Sequence, residues 1–104
     1  MLELERGQWE RALADRPGPL AAFVHTPLCG TCALARRMLA VAEEIRPDYP
    51  VLAVNLNAEP GIAQRFQIES VPCLLVRNAQ GFWAKMYRFS SVTDIVEKLD
   101  GSRR

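Results

Sequence analysis

The chain has 104 residues, of which 49% are hydrophobic and 24% are charged, and its formal net charge at pH 7 is +1. This composition predicts one globular domain over residues 1–104, and the weak net charge argues against binding to nucleic acid or to an anionic membrane surface. No apolar run approaches the roughly 18 residues that a membrane span needs. Residues 1–5 lack the basic start and the apolar stretch of a secretory signal, so we expect a cytoplasmic protein.

The first half of the chain predicts two strands, each followed by a helix. Leucine and glutamate alternate at residues 2–5, as in a short edge strand, and Gln8–Ala14 has apolar residues at helical spacing. Pro17-Gly18-Pro19 ends that helix. Leu20–His25 is a compact apolar run, which is typical of a central strand covered on both faces. A longer helix is then expected to run to about Arg46.

That longer helix is predicted to be amphipathic. Its apolar residues fall on one stripe, which we expect to face the core: Leu34, Met38, Val41, Ala42 and Ile45. The charged residues of the same helix are expected to point to solvent: Arg36, Arg37, Glu43 and Glu44.

The second half of the chain predicts three strands and two helices. The strands are expected at Val51–Leu56, Cys73–Val76 and Phe82–Phe89, with a turn before the last one at Asn78-Ala79-Gln80-Gly81. One helix is expected at Glu59–Phe66. The other opens at Ser91, which forms a capping pattern with Asp94. Its expected core face is Val92, Ile95, Val96 and Leu99.

The predicted order is strand, helix, strand, helix, strand, helix, strand, strand, helix. A strand–helix–strand crossover favours parallel pairing, whereas the tight turn near Gly81 favours an antiparallel hairpin. The sequence therefore predicts an α/β fold in which a mixed sheet lies between two layers of helix.

Two of the three cysteines form the motif Cys29-Gly30-Thr31-Cys32, between the apolar strand and the long helix. Thiols two residues apart can form and open a disulfide without a large backbone movement. A helix N-terminus favours the thiolate, which is the form that attacks disulfides, but it lowers a thiol pKa by at most about one and a half units. In a reducing compartment this spacing predicts redox or metal chemistry, and thiol–disulfide exchange is our first hypothesis.

The element order with this motif at the first crossover resembles the thioredoxin family, and the resemblance covers nearly the whole chain. Two further segments match in order: Asn55-Leu56-Asn57 followed by Pro60-Gly61, and Ser70-Val71-Pro72 before the strand at Cys73. The resemblance implies a thioredoxin fold, a three-layer α/β/α sandwich with a mixed central sheet of four to five strands.

The resemblance also implies a function and its residues. Cys29 would attack a protein disulfide, and Cys32 would resolve the mixed disulfide. Pro72 would follow a cis peptide bond and lie against the cysteines, and the backbone of Val71 would pair with the substrate. Such an oxidoreductase needs no bound cofactor and serves cell redox homeostasis and electron transport as a monomer. Its electrons would come from an NADPH-linked reductase.

Several positions depart from the family pattern. Phe23 replaces the buried aspartate beneath the second cysteine, and Ala53 replaces the lysine that accompanies it. Leu28 replaces the tryptophan before the first cysteine, and Phe89 replaces the glycine beside the substrate groove. Gly30-Thr31 replaces Gly-Pro and is a candidate modulator of the cysteines. Without the aspartate, resolution of the mixed disulfide would rely on water.

Two more candidate modulators leave alternatives open. His25 would either pack in the domain or tune the charge near Cys29. Cys73, where the family has threonine, would be an inert buried thiol, a third redox partner or a metal ligand with Cys29 and Cys32, with His25 as a candidate fourth ligand. The rival functions are accordingly an adaptor module that binds a partner with little turnover and, less favoured, a metal-binding cysteine cluster.

Overall fold

The computed structural model describes residues 1–103, so Arg104, the last residue of the predicted domain, lies outside the described residues. The elements follow the predicted order: β1 (Leu2–Glu3), α1 (Trp9–Ala14), β2 (Leu20–His25), α2 (Gly30–Ile45), β3 (Val51–Asn55), α3 (Pro60–Phe66), β4 (Cys73–Arg77), β5 (Trp83–Met86) and α4 (Val92–Ser102). Within residues 1–103, no helix is both long enough and apolar enough to cross a membrane.

The strands form one five-stranded sheet in the order β1-β3-β2-β4-β5. β3 pairs in parallel with both β1 and β2, whereas β4 pairs antiparallel with both β2 and β5. The predicted mixed sheet and α/β fold class are confirmed. β2 is the central strand, as its apolar run predicts. The cysteine motif follows the C-terminal end of this strand.

Each sheet face has its own apolar core, because successive side chains of a strand point to opposite faces. Phe23 of β2 and Leu74 of β4 pack with Leu39 of α2 and Leu99 of α4. On the other face, a second cluster joins residues of β2 and β4 to residues of α1 and α3: Trp9, Leu13, Val24, Ile62, Cys73 and Leu75. The domain is therefore a three-layer sandwich, with α2 and α4 on one side and α1 and α3 on the other.

The buried face of α2 differs from the predicted stripe. Leu34, Val41 and Ile45 are 51%, 45% and 46% exposed. Ala42 is buried as predicted and Met38 packs against the core, but the other buried residues of α2 are Cys32, Ala35 and Leu39. A helix face that carries two alanines can approach the sheet closely. This face of α2 is buried, and the neighbouring face, with its larger apolar side chains, is about half exposed.

Two expectations for the last third of the chain have different outcomes. The cap is confirmed, since Ser91 Oγ accepts a hydrogen bond of 3.1 Å from the backbone N–H of Asp94. β5 is shorter than predicted, because its pairing with β4 ends at Met86 opposite Leu74. The neighbouring strand begins at Cys73, after Pro72, which has no N–H to continue a ladder.

Candidate active site

The motif places Cys29 at the mouth of α2 and Cys32 one turn deeper. Cys29 is the N-cap residue with an extended backbone, and its Sγ accepts a hydrogen bond of 3.2 Å from the backbone N–H of Cys32. Thr31 Oγ1 lies 3.4 Å from the same sulfur. Cys29 is partly exposed and Cys32 is buried, and neither is in a disulfide. The accessible sulfur is thus the one that receives the hydrogen bonds.

The two thiols have opposite pKa shifts. The pKa of Cys29 is lowered, chiefly by a hydrogen bond from the side chain of Cys32 and then by one from Thr31. The pKa of Cys32 is raised, chiefly by burial and then by the same hydrogen bond to Cys29. A negative charge on the pair is therefore more stable on Cys29. Gly30, the other residue between the cysteines, is the exposed first residue of α2.

Pro72 faces the N-terminal part of α2. It is buried and follows a cis peptide bond from Val71. A cleft of about 330 Å³ lies here, lined by Thr31, Leu34, Ala35, Pro72, Tyr87, Arg88 and Phe89. Val71 lies outside the strand ladders, and its backbone makes no hydrogen bond within the described chain. Its backbone N–H and C=O groups are therefore unpaired within residues 1–103.

His25 and Arg36 form a polar cluster on the other side of the motif. His25 Nε2 lies 3.1 Å from Arg36 Nη2 and 3.6 Å from Glu3 Oε2. Arg36 Nη1 lies 2.5 Å from Glu3 Oε1. The expectation that Arg36 points into solvent is wrong, because β1 and β2 bring these two partners beside α2.

The electrostatic role proposed for His25 is limited by its own pKa. Burial and then the charge of Arg36 lower this pKa from 6.5, although Glu3 acts in the opposite direction. His25 is therefore neutral at pH 7, and its ring stacks on Phe23 with centroids 5.4 Å apart. It lines a cleft of about 370 Å³ together with Cys29, Cys32 and Arg36. The permanent positive charges in this cleft belong to Arg36 and Arg37, neither of which was a predicted site residue.

Cys73 belongs to a different part of the molecule from the other two cysteines. It is fully buried in the cluster that packs under α1 and α3, whereas Cys32 belongs to α2 on the opposite side of the sheet. Burial raises its pKa to about 11. Among residues 1–103, no three or more histidine, cysteine, aspartate or glutamate side chains are grouped to hold a metal ion. This arrangement favours the inert buried thiol among the three alternatives.

The family's buried acid and lysine positions are apolar here. Phe23 and Ala53 are paired neighbours in β2 and β3, both fully buried in the same core cluster. Phe89 meets Phe23 edge-on, with centroids 6.1 Å apart, and fills the side of the cleft where the family has glycine. Leu28 is fully exposed beside Cys29 and has a φ of +62°.

Comparison with known proteins agrees with this architecture, although no family model matches the chain. A thioredoxin-like protein, YusE of Bacillus subtilis, is 41% identical over 77 residues, which cover 74% of this chain and 73% of that protein. A thioredoxin of Porphyra purpurea is 30% identical over 59 residues, or 56% of this chain and 55% of that protein.

Solved structures show the same fold at lower identity. Mitochondrial thioredoxin 3 of Saccharomyces cerevisiae superposes with a TM-score of 0.82 at 16% identity, covering 97% of this chain and 94% of that one. Chloroplastic thioredoxin z gives a TM-score of 0.82 at 20% identity, covering 97% and 92% of the two chains. With the fold, the paired cysteines and the Bacillus relative in agreement, the chain belongs to the thioredoxin family.

Proposed function

We propose that this protein is a thiol–disulfide oxidoreductase that reduces disulfides in protein substrates, with Cys29 as the attacking thiol and Cys32 as the resolving thiol. The observation that carries the proposal is the asymmetry of the pair. Cys29 Sγ is accessible, accepts a hydrogen bond from the backbone N–H of Cys32 and lies 3.4 Å from Thr31 Oγ1, whereas Cys32 is only 4% exposed. The acting unit is the domain predicted over residues 1–104, as a monomer in the cytoplasm.

The reaction has two exchange steps. The Cys29 thiolate attacks one sulfur of the substrate disulfide, a Cys29–substrate bond forms, and the other substrate sulfur leaves as a thiolate that takes a proton from water. The Cys32 thiolate then attacks Cys29 Sγ. The second substrate sulfur leaves as a thiolate, and the Cys29–Cys32 disulfide forms. The substrate has then been reduced by two electrons and the cysteine pair oxidised by two electrons. An external reductant, which we propose to be an NADPH-linked reductase, restores the dithiol.

The cleft beside Pro72 supplies a place for the substrate. An extended peptide lying there would find the unpaired backbone groups of Val71 on one side and Thr31 of the motif on the other. Backbone pairing of this kind recognises a peptide largely irrespective of its side chains. Val71 and Pro72 are therefore the proposed substrate-binding residues, and Cys29 would lie beside the bound disulfide.

Reduction of insulin by dithiothreitol tests the proposal. The wild-type protein should accelerate insulin precipitation, Cys29→Ser should abolish the acceleration, and the control Cys73→Ala should keep it. No acceleration over dithiothreitol alone, or equal acceleration by Cys29→Ser, would refute the proposed activity.

An adaptor module with little turnover is the second candidate. It is favoured by the apolar Phe23–Ala53 pair, which leaves no carboxylate under Cys32, and by the fully exposed Leu28. An adaptor would show no insulin reduction and would hold its partner equally well with and without reductant. An oxidoreductase would instead hold partners covalently through Cys29.

A further inference from the structure

Arg36 is held in one place beside the cysteine pair. It follows Cys32 by four residues, so the two side chains occupy the same side of α2, one turn apart. Both line the cleft of about 370 Å³ next to the motif. The guanidinium is held by Glu3 at 2.5 Å and by His25 at 3.1 Å, and its carbon lies 5.5 Å from the centre of the Phe23 ring. Contacts from β1 and β2 therefore fix a charge that would otherwise move freely.

The groups that act on Cys32 include no carboxylate. Within the described chain these groups are the Cys29 thiol, the backbone of Thr26 and the charge of Arg36. Burial and the bond to Cys29 raise the pKa of Cys32, whereas Thr26 and Arg36 lower it. Phe23 occupies the place from which an acid would otherwise take the proton of Cys32. A cation therefore lies near this thiol, and the neighbouring groups that could accept a proton, His25 and Glu3, both contact that cation.

We propose that Arg36 is a positioning residue for the resolving step, in which its guanidinium stabilises the thiolate of Cys32 while Glu3 and His25 hold it in place. The inference rests on the proposed function. Before the step, the Cys32 thiol gives its proton to water in the cleft. The thiolate then attacks Cys29 Sγ, the Cys29–Cys32 bond forms, and the bond from Cys29 to the substrate breaks. The substrate sulfur leaves with the electron pair of that bond.

His25 takes part through its neutral form. Its Nε2 accepts a hydrogen bond from Arg36 Nη2 only while that nitrogen carries no proton. A protonated His25 would set two cations side by side, with Glu3 as their shared anion. Since the pKa of His25 lies below 6.5, this support for Arg36 is intact at pH 7.

The test separates the two exchange steps with the reagent 5,5′-dithiobis(2-nitrobenzoate). Attack by Cys29 releases one coloured thiolate, and resolution by Cys32 releases a second, so stopped-flow absorbance resolves both. We expect Arg36→Gln to slow the second release relative to the first on the order of three- to tenfold at pH 7, and to move the pH midpoint of the second release upward. Arg36→Lys should restore most of the rate. Arg37→Gln is the matched control, because it removes the same charge from an exposed residue of the same cleft that is not among the groups acting on the Cys32 thiol.

Equal rates and pH profiles of the second release in Arg36→Gln and Arg37→Gln would overturn this inference while leaving the oxidoreductase intact. Absence of the first release in every form would overturn the proposed function instead. In that case an NMR titration of the reduced protein with labelled cysteine decides about Arg36. An upward move of the Cys32 midpoint in Arg36→Gln would support stabilisation of the Cys32 thiolate by the guanidinium, and an unchanged midpoint would refute it.

Discussion

The burial of Cys73 predicts a loss of stability at alkaline pH that one substitution should remove. Its thiol has a pKa of about 11 in the fold, against 9.0 for an ordinary thiol. Between these values the unfolded chain loses the proton and the folded chain keeps it, so stability falls as pH rises through this window. The loss from this one group is about 1.4 kcal/mol at pH 10 and approaches about 2.7 kcal/mol above pH 11.

Urea unfolding of the reduced wild-type protein and of Cys73→Ala, followed from pH 7 to pH 10.5, measures this difference. At pH 7 the variant should be less stable by about 1 kcal/mol, because the alanine leaves a small cavity under α1 and α3. That gap should close between pH 9 and pH 10 and be reversed at pH 10 and above. Contributions from Cys32 and from Tyr49, neither of which acts on Cys73, are common to both proteins and cancel. Parallel stability curves would show that Cys73 is not a buried neutral thiol, and the separation of this cysteine from the redox pair would then be wrong.

Two other predictions concern the packing of α2 and the cluster around His25. Leu39→Ala should lower the free energy of unfolding by about 2–5 kcal/mol, because Leu39 is buried. Leu34→Ala should lower it by less than about 0.5 kcal/mol, because Leu34 is half exposed. Equal losses for the two variants in urea unfolding would contradict the observed buried face of α2. Because the pKa of His25 is lowered in the fold, its contribution to stability is complete above pH 6.5 and is lost as the pH falls from that value through the lower pKa of the folded state. His25→Gln should therefore flatten the decline in stability between pH 7 and pH 5, and an unchanged slope would contradict the burial of a neutral ring.

Local patterns in the sequence predict most of the fold. The central strand Leu20–His25 coincides with β2, and the serine cap places the start of α4 correctly, because each depends on neighbouring residues. The cysteine motif is likewise a local signal. A helix N-terminus after an apolar strand fixes where the two sulfurs lie, and the structure has this junction at Cys29.

The failures involve contacts between distant elements. Whether α2 buries the face with Leu39 or the face with Leu34 depends on how closely the helix packs on the sheet. The small side chains of Ala35 and Ala42 allow close packing of the Leu39 face. Arg36 contacts Glu3 only because β1 pairs with β3 at the edge of the sheet. The alternation of β4 predicts that Cys73 shares a face with Leu75, but which helices cover that face is a property of the whole topology.

The most direct test of the central claim is a trapping experiment with Cys32→Ser. Without a resolving thiol, the mixed disulfide formed by attack of Cys29 on an oxidised peptide should persist. Mass spectrometry should then find one peptide on Cys29, and dithiothreitol should release it. Cys29→Ser should carry no such adduct. An adduct on Cys73 or on neither cysteine of Cys32→Ser, or an equal adduct on Cys29→Ser, would contradict the assignment of Cys29 as the attacking thiol.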